Sequence, residues 1–488
     1  MLLLPAPSSA RDERTHGRHL DDPITGAPET SASHFVDGKT LLLDGRLGHA
    51  SVARDTRGVS ASTFVLATVT GADAERPLEG TSLTAPPIHL AIVVDRSGSM
   101  AGPKMSNAVA AAVGVVEHMR DGDRATVVSF DTTARVLVPP TALDASSRPT
   151  VESAIRAMHA GGDTCISCAL DTATAELDAS PGPRDEVRRI LLISDGEATT
   201  GVRDVTGLRA LAGRARDRGI GVSTIGVDLA FDQRVMAGIA QEANGRHWFV
   251  PDASALTQVF EEELGTLETA VASEAELSIE PAPGVVVEEV LDRSFRREGG
   301  RVRVPLGTFD PREEKTVLLR VKVPVDSDGT QPVVHLGLAY RDVLRRESGR
   351  CEGSLAIDVR SDGEAQAELD PFVAARVERS RTAHALTEAN ELFEKGKGDD
   401  ARAALARRQH ELASAGPAAV AAATAMPEPR RGVARPVDKD IEEQVAALSQ
   451  AQSGFGGASA SATPPAAAAP AAKSAVRQNQ ANATDLAF

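Results

Sequence analysis

The largely apolar run 88–94 ends in Asp95-Arg96-Ser97-Gly98-Ser99, a carboxylate followed by two hydroxyls spaced two apart. In an extended loop, side chains at i and i+2 lie on one side, so Ser97 and Ser99 can face one ion while Arg96 and Gly98 face away. Magnesium takes six oxygens in a near-octahedral array at roughly 2.0 to 2.1 Å and keeps some of its water, so a few protein oxygens suffice. A second apolar run, Ile190-Leu191-Leu192-Ile193-Ser194, stops on Asp195 and is followed by Gly196-Glu197. In an open α/β sheet the ligand crevice lies outside the carboxyl ends of the strands, where the strand order reverses. Two strands ending there set Asp95 and Asp195 side by side. The glycine turn Gly161-Gly162-Asp163-Thr164 opens a helix and offers one more hydroxyl, that of Thr164. An Asp-x-Ser-x-Ser pattern alone is expected by chance in roughly one chain in ten of this length. Its weight comes from its place between a strand and an apolar helix, with the glycine turn and the strand-terminal Asp downstream.

Composition bounds the elements that must carry these residues. At about 150 residues per domain, 488 residues make two or three domains with a sizeable core. Hydrophobic residues make up 42% and aromatic ones 3%, so the core is mostly aliphatic and no aromatic stacking platform is expected. Lys and Arg total 53 against 69 Asp and Glu, and the net charge of −16 repels polyanions, which argues against nucleic acid as a partner. No apolar run reaches the roughly 18 residues of a transmembrane helix. Residues 1–10 contain Leu2, Leu3 and Leu4 but neither a basic stretch nor a long apolar one. The expectation is a cytoplasmic protein if the chain starts there, and an exported or periplasmic one if a leader has been cut away. Cys165, Cys168 and Cys351 are too few and too odd in number for a disulfide framework.

Residues 1–38 are charged and rich in Pro, Ser and Thr without periodicity, and read as a flexible leader. Residues 39–87 hold strand-like stretches at 40–43 and 63–70. From 88 to 271, apolar runs at 88–94, 125–130, 190–194, 221–227 and 247–250 alternate with helical segments at 104–119, 151–159, 166–177, 205–218, 233–242 and 254–271. This alternation is that of an α/β domain with a parallel sheet covered on both faces. Between 272 and 362 the period becomes two, with six strand-like runs punctuated by Gly and Pro, as in an antiparallel β-sandwich. The strands before residue 88 are candidates to complete that sandwich, with the α/β domain inserted between its parts. Residues 369–415 read as a helical hairpin around Gly396-Lys397-Gly398. Residues 416–488 are Ala- and Pro-rich and read as a mostly disordered tail with one short helix at 440–448.

Residues 88 to about 270 resemble a von Willebrand factor A domain, and Asp95, Ser97, Ser99, Thr164 and Asp195 match all five positions of that family's metal-ion-dependent adhesion site. The resemblance covers a little over a third of the chain. It implies a Rossmann-like sheet with a divalent cation at its top: Mg2+, or Ca2+ or Mn2+ in its stead. Ser97, Ser99 and sometimes Thr164 would touch the ion, and Asp95 and Asp195 would act largely through bound water. The flanking parts are similar to the bacterial group named after calcium-activated chloride channels and inter-α-trypsin inhibitor heavy chains, a label that implies no conduction. With neutral hydroxyls and water around it, the ion stays electrophilic and seeks an anionic ligand, which an Asp or Glu of a partner protein would supply. The expected function is thus non-enzymatic, metal-dependent protein binding, with the oligomeric state open. An alternative is an accessory subunit of an AAA+ ATPase. A metal-assisted hydrolase would need a base and an activated water, and neither Asp95 nor Asp195 is clearly free to serve.

Other motifs carry less. Glu197 and Asp163 read as solvated loop carboxylates beside the site. Cys165 and Cys168 form a C-x-x-C at the start of a helix, open to a redox switch on the metal site or to plain packing behind the turn. His16 and His19 have no partner cluster for zinc, and His247-Trp248 reads as part of a strand. The sequon Asn482-Ala483-Thr484 is treated as chance. Neither a P-loop at Gly396 nor a Gly-x-Ser-x-Gly or His-Glu-x-x-His pattern is present.

Overall fold

The computed structural model describes residues 33–55, 60–72, 85–183, 186–195, 197–227, 232–250, 253–361, 367–426, 435–457 and 470–487. His16, His19, Gly196 and most of the proposed leader lie outside the described residues. The strands before the α/β domain are β1 (His34–Gly38), β2 (Leu41–Leu47), β3 (Ser51–Ala53) and β4 (Ser60–Gly71). The leader therefore ends sooner than expected, because 34–38 pairs as an antiparallel edge strand on β2.

The α/β domain runs β5 (Ile88–Asp95), α1 (Pro103–His118), β6 (Arg124–Phe130), β7 (Ala134–Ala142), α2 (Arg148–Arg156), α3 (Ile166–Ala179), β8 (Val187–Ser194), α4 (Val205–Arg216), β9 (Ile220–Val227), α5 (Gln233–Glu242), β10 (Asn244–Val250) and α6 (Leu256–Thr269). Every residue of β5 is buried, as a central parallel strand covered on both faces must be. The sheet order is β10-β9-β8-β5-β6-β7. Only β7 is antiparallel, and Pro139 and Pro140 hid it in the sequence. It sits at the sheet edge, where a missing N–H donor is tolerated. One apolar layer, with Ile92, Val94, Met105, Ala112 and Phe260, lies on one face of the sheet. A second, with Val93, Phe130, Leu170, Leu192 and Leu208, lies on the other.

After α6 come β11 (Ala272–Pro281), β12 (Val286–Leu291), β13 (Arg296–Glu298), β14 (Arg301–Phe309), β15 (Glu314–Pro324), β16 (Gly329–Asp342) and β17 (Glu347–Arg360). One sheet has the order β1-β2-β4-β15-β12 and the other β13-β14-β11-β16-β17-β3. Strands from both sides of the α/β domain thus share both sheets, and β4 pairs with β15 over its whole length from Ser60↔Pro324 to Thr70↔Glu314. Their shared core is aliphatic, built on Leu41, Leu43, Val65, Leu277, Leu319 and Leu336, with Phe309 as a fully buried ring.

The hairpin is α7 (Pro371–Glu394) and α8 (Gly398–Ala425), turning at Gly396 with φ +75°. Beyond it the expectation of a disordered tail is corrected. Helix α8 continues through Gly416-Pro417, and α9 (Val437–Gly457) and α10 (Pro470–Ala487) pack back onto the hairpin. Gly-Pro reads as a helix end, yet here Gly416 admits a neighbour: a Cβ on it would lie 3.0 Å from Ile441 of α9. The four helices share Leu386, Leu405, Leu412, Leu448 and Leu486, and the Phe393 and Phe455 rings stack with centroids 4.4 Å apart.

Burial of His89 should make the α/β domain acid-sensitive. His89 is fully buried on β5, its Nε2 2.9 Å from Thr126 Oγ1 and its Nδ1 3.9 Å from Glu186. Burial, with Arg124 and Arg188 nearby, pushes its imidazole down to about 3 from the ordinary 6.5. The folded value is depressed, so the unfolded chain binds the extra proton; stability is complete above about pH 6.5 and drains away as pH falls towards 3. His89→Gln should remove about one proton from the uptake on unfolding in that window, read as a flatter pH dependence of the urea midpoint. An unchanged slope would refute the assignment.

Candidate metal centre

The sheet order reverses between β5 and β8, which run parallel with Val94 opposite Ile193. Each strand delivers its final carboxylate to the same edge, and both Asp95 and Asp195 are fully buried. Asp95 Oδ1 accepts the Ser97 N–H at 2.8 Å and Oδ2 accepts the Ser194 hydroxyl at 2.5 Å. Burial raises its carboxyl to about 6, against the lowering effect of those hydrogen bonds and with a further push from the Asp195 charge.

After Asp95 the chain makes a single 3-10 turn, Gly98–Met100, anchored by fully buried Met100. The turn brings the Ser97 and Ser99 hydroxyl oxygens to 3.0 Å from each other, and Ser99 donates to Asp195 Oδ1 at 2.7 Å. Arg96 turns away as the alternation requires, pairing with Asp131 and donating to His159 O. The turn carrying Thr164 is tied alongside by its backbone: Gly161 N–H donates to Arg96 O at 2.6 Å, and Gly98 N–H to Gly162 O at 3.0 Å. Gly162 sits at φ +85°, a conformation that suits glycine, with the Asp131 side chain against it. Thr164 itself is clamped to the loop after Asp195. Its N–H donates to Thr199 Oγ1 at 2.9 Å, and its carbonyl accepts the Thr199 and Thr200 N–H groups. Four of the five expected residues are thus linked side chain to side chain or through one amide, and the fifth arrives on a loop bonded to theirs.

Two participants, Ser194 and Lys104, carry no signal in the sequence, and the C-x-x-C proves to be bonded. Ser194, one residue before the expected Asp195, holds Asp95. Lys104, in the first turn of α1, places its ammonium 2.7 Å from Asp195 Oδ2. Cys165 and Cys168 are joined as a disulfide directly after Thr164.

Among the described residues no group of three or more His, Cys, Asp or Glu side chains is arranged to hold a metal. The cluster at the strand ends is of another make: two carboxylates and three hydroxyls. Adjacent oxygens around an octahedral ion with bonds of about 2.1 Å are about 3 Å apart. The Ser97–Ser99 and Ser99–Asp195 contacts are hydrogen bonds of this same length, and the all-oxygen donor set is of the kind a hard divalent cation takes. Ser99, Gly102, Asp163, Glu197 and Thr199 are exposed around it, leaving the cluster open to solvent on that side.

The sequence pattern of the von Willebrand factor type A domain matches residues 89–262. An uncharacterized Synechocystis protein is 24% identical over 294 residues, covering 58% of this chain and 69% of that protein. Human inter-alpha-trypsin inhibitor heavy chain H4 is 27% identical over 227 residues, 44% of this chain and 23% of its own length. The solved von Willebrand factor type A protein from Catenulispora acidiphila superposes with a TM-score of 0.63 at 18% identity, covering 85% of this chain and 98% of that one. The ArnB paralog VWA2 from Sulfolobus acidocaldarius gives 0.56 at 16% identity, covering 92% and 100%. At such identities the superpositions speak to the fold, and they extend it beyond the α/β domain into the sandwich and helices. Sheet order and sequence pattern agree: residues 89–262 of this chain match a von Willebrand factor type A domain.

Proposed function

We propose that Asp95, Ser97, Ser99, Thr164 and Asp195 hold a divalent cation, Mg2+ or else Mn2+ or Ca2+, and that the domain binds a protein partner there through an Asp or Glu side chain. The observation that carries this reading is the run of oxygens Ser97–Ser99–Asp195. They come from two loops far apart in sequence and sit 2.7 to 3.0 Å from one another at the open edge of the sheet. When bound, the ion supplies an electrophilic position for a partner's carboxylate oxygen. The chain's own residues do the positioning. Neutral hydroxyls from Ser97 and Ser99 leave positive charge uncancelled, and Asp95 fixes the loop that carries them. Both Asp95 oxygens are already engaged, by the Ser97 amide and the Ser194 hydroxyl, so this carboxyl is occupied as an orienting group.

Titration with Mn2+ followed by electron paramagnetic resonance should find one bound ion per chain, displaced by Mg2+ and removed by EDTA. Asp95→Ala should abolish binding while leaving the circular dichroism spectrum intact. A chain that takes up no ion, or an Asp95→Ala protein that binds it as tightly as the parent, rejects the reading.

A further inference from the structure

The turn that carries Thr164 runs straight into a disulfide, Cys165–Cys168. Cys165 caps the N-terminus of α3, its Sγ accepting the Cys168 N–H at 3.3 Å, and its own N–H donates to Asp131 O at 2.8 Å. Ser167, between the two cysteines, has its hydroxyl 3.5 Å from Cys165 Sγ and accepts the Val202 N–H at 3.0 Å. Gly201 fits over this turn at φ +70°, where a Cβ would lie 2.3 Å from Ser167 Oγ and 2.7 Å from Cys165 Sγ. The loop leaving Asp195 is therefore seated on the disulfide turn at two places: at Thr164 through Thr199 and Thr200, and at Ser167 through Val202. Cys165 is buried, at 1% exposure, whereas Cys168 is partly exposed. The third cysteine, Cys351, is buried far away in the sandwich core.

Resting on the metal reading above, we propose that Cys165–Cys168 is a thiol–disulfide switch on the divalent site. Closed, it holds Thr164 and the 197–202 loop in register with Ser97, Ser99 and Asp195; opened by a dithiol, it releases them and the site loses affinity. The exchange balances. A thiolate of the dithiol attacks the accessible Cys168 Sγ, and the S–S bond breaks with its electron pair leaving on Cys165 Sγ. That sulfur departs as a thiolate beside the Cys168 N–H. The second thiol of the reductant then displaces Cys168 from the mixed disulfide. Two electrons and two protons pass to the protein, and the reductant leaves as its own disulfide. Once unbonded, the two sulfurs must move apart beyond the ~2 Å bond length. Gly201 packs over Cys165 so closely that a Cβ there would lie 2.7 Å from Sγ, so movement of the sulfur bears on the loop seated upon the turn.

The test uses the full chain, oxidised with oxidised glutathione or reduced with dithiothreitol, the thiols being counted by alkylation and mass spectrometry. Reduction should expose two new thiols, weaken Mn2+ binding by about tenfold, as loss of an outer support to a metal site does, and speed amide exchange at Thr199, Thr200 and Val202. The Cys165→Ser/Cys168→Ser variant, which keeps a helix-capping oxygen at 165, should bind like the reduced protein whether or not dithiothreitol is present. Equal Mn2+ affinity in the two states with two thiols titrated, or a Ser/Ser variant that binds like the oxidised protein, overturns the switch alone. Failure of the oxidised protein to bind Mn2+ at all overturns the metal reading and the switch with it.

Discussion

If the site takes a divalent ion as proposed, Asp195→Asn should lower its affinity by about 100-fold and Lys104→Met should raise it by about tenfold. The opposite signs follow from one geometry. Asp195 is fully buried and splits its two oxygens between the Ser99 hydroxyl at 2.7 Å and the Lys104 ammonium at 2.7 Å. The ammonium is thus the cation that balances the buried carboxylate in the arrangement seen here. A divalent ion at the hydroxyl cluster must share that carboxylate with Lys104 and bear the repulsion of a unit charge a few ångströms away. For a divalent ion and a unit charge at an effective dielectric near 20, such a repulsion amounts to about 8 kcal/mol at 4 Å. Only part of it acts, since the Lys104 side chain is 25% exposed and screened by water. Replacing Lys104 by an uncharged side chain of similar length removes the competitor. Replacing Asp195 by its isosteric amide removes the charge both cations seek. Isothermal titration with Mg2+ reads each affinity directly, and the rise in unfolding temperature gives a second measure. A site filled at 100 times Kd stabilises the fold by about 2.7 kcal/mol. That gain should vanish in Asp195→Asn and be reached at lower Mg2+ in Lys104→Met. Equal or weaker Mg2+ binding by Lys104→Met would show that the lysine supports the site instead of competing for it.

The convergence of Asp95, Ser97, Ser99 and Asp195 was legible in the sequence because each sits at or just after the end of an apolar strand. A carboxylate at the end of an apolar strand, and two hydroxyls spaced two apart after it, need only the pleat and the strand-end rule to converge. Lys104 was not legible, for a lysine in the first turn of a surface helix is ordinarily solvated, and only the fold reveals that α1 starts over Asp195. Ser194 was read as the last residue of a strand, and nothing in its neighbours marks which face its hydroxyl takes. The α/β alternation was readable from continuous apolar runs, whereas β7 was masked by Pro139-Pro140 and betrays itself only as an edge. Most was lost at the C-terminus. Helices α8 to α10 are Ala-rich, and Ala favours helix without marking a face. Their apolar stripes reduce to a few residues such as Leu448, Phe455 and Leu486. Much of what docks α10 is polar and comes from elsewhere, from arginines on α7 some hundred residues earlier.

Those arginines set the other large effect: Arg376→Ala should cost about 3 to 5 kcal/mol of unfolding free energy. Arg376 is 4% exposed. Its Nε donates to Thr316 Oγ1 at 2.7 Å, and its Nη2 reaches Asp292 Oδ2 at 3.0 Å and Ala487 O at 2.7 Å. One side chain on α7 thereby joins a sandwich strand, the turn after β12 and the last carbonyls of α10, where Arg379 adds bonds to Leu486 O and Asp485 O. Helix α10 in turn meets the von Willebrand domain, with Gln233 donating to Arg477 O at 2.8 Å and the Arg477 guanidinium 5.6 Å from the Phe249 ring centre. Truncation at 376 removes the guanidinium from the Asp292 carboxylate, 2% exposed, and leaves it the imidazole of His384, Nε2 at 3.2 Å, and the Ser380 hydroxyl. The loss is chiefly that of a stranded charge, so Arg376→Met combined with Asp292→Leu should cost less than Arg376→Ala alone. Hydrogen exchange should show α10 amides opening in the single variant. The penalty also acquires a pH dependence. The hydrogen bond to Asp292 raises the His384 imidazole above its ordinary 6.5. A raised folded value gives stability that is complete below 6.5 and lost as pH climbs through it. Arg376→Ala should therefore look least harmful at mildly acidic pH, where a protonated His384 covers Asp292, and most harmful above neutrality. A penalty independent of pH would mean that the arginine acts through the α10 carbonyls alone.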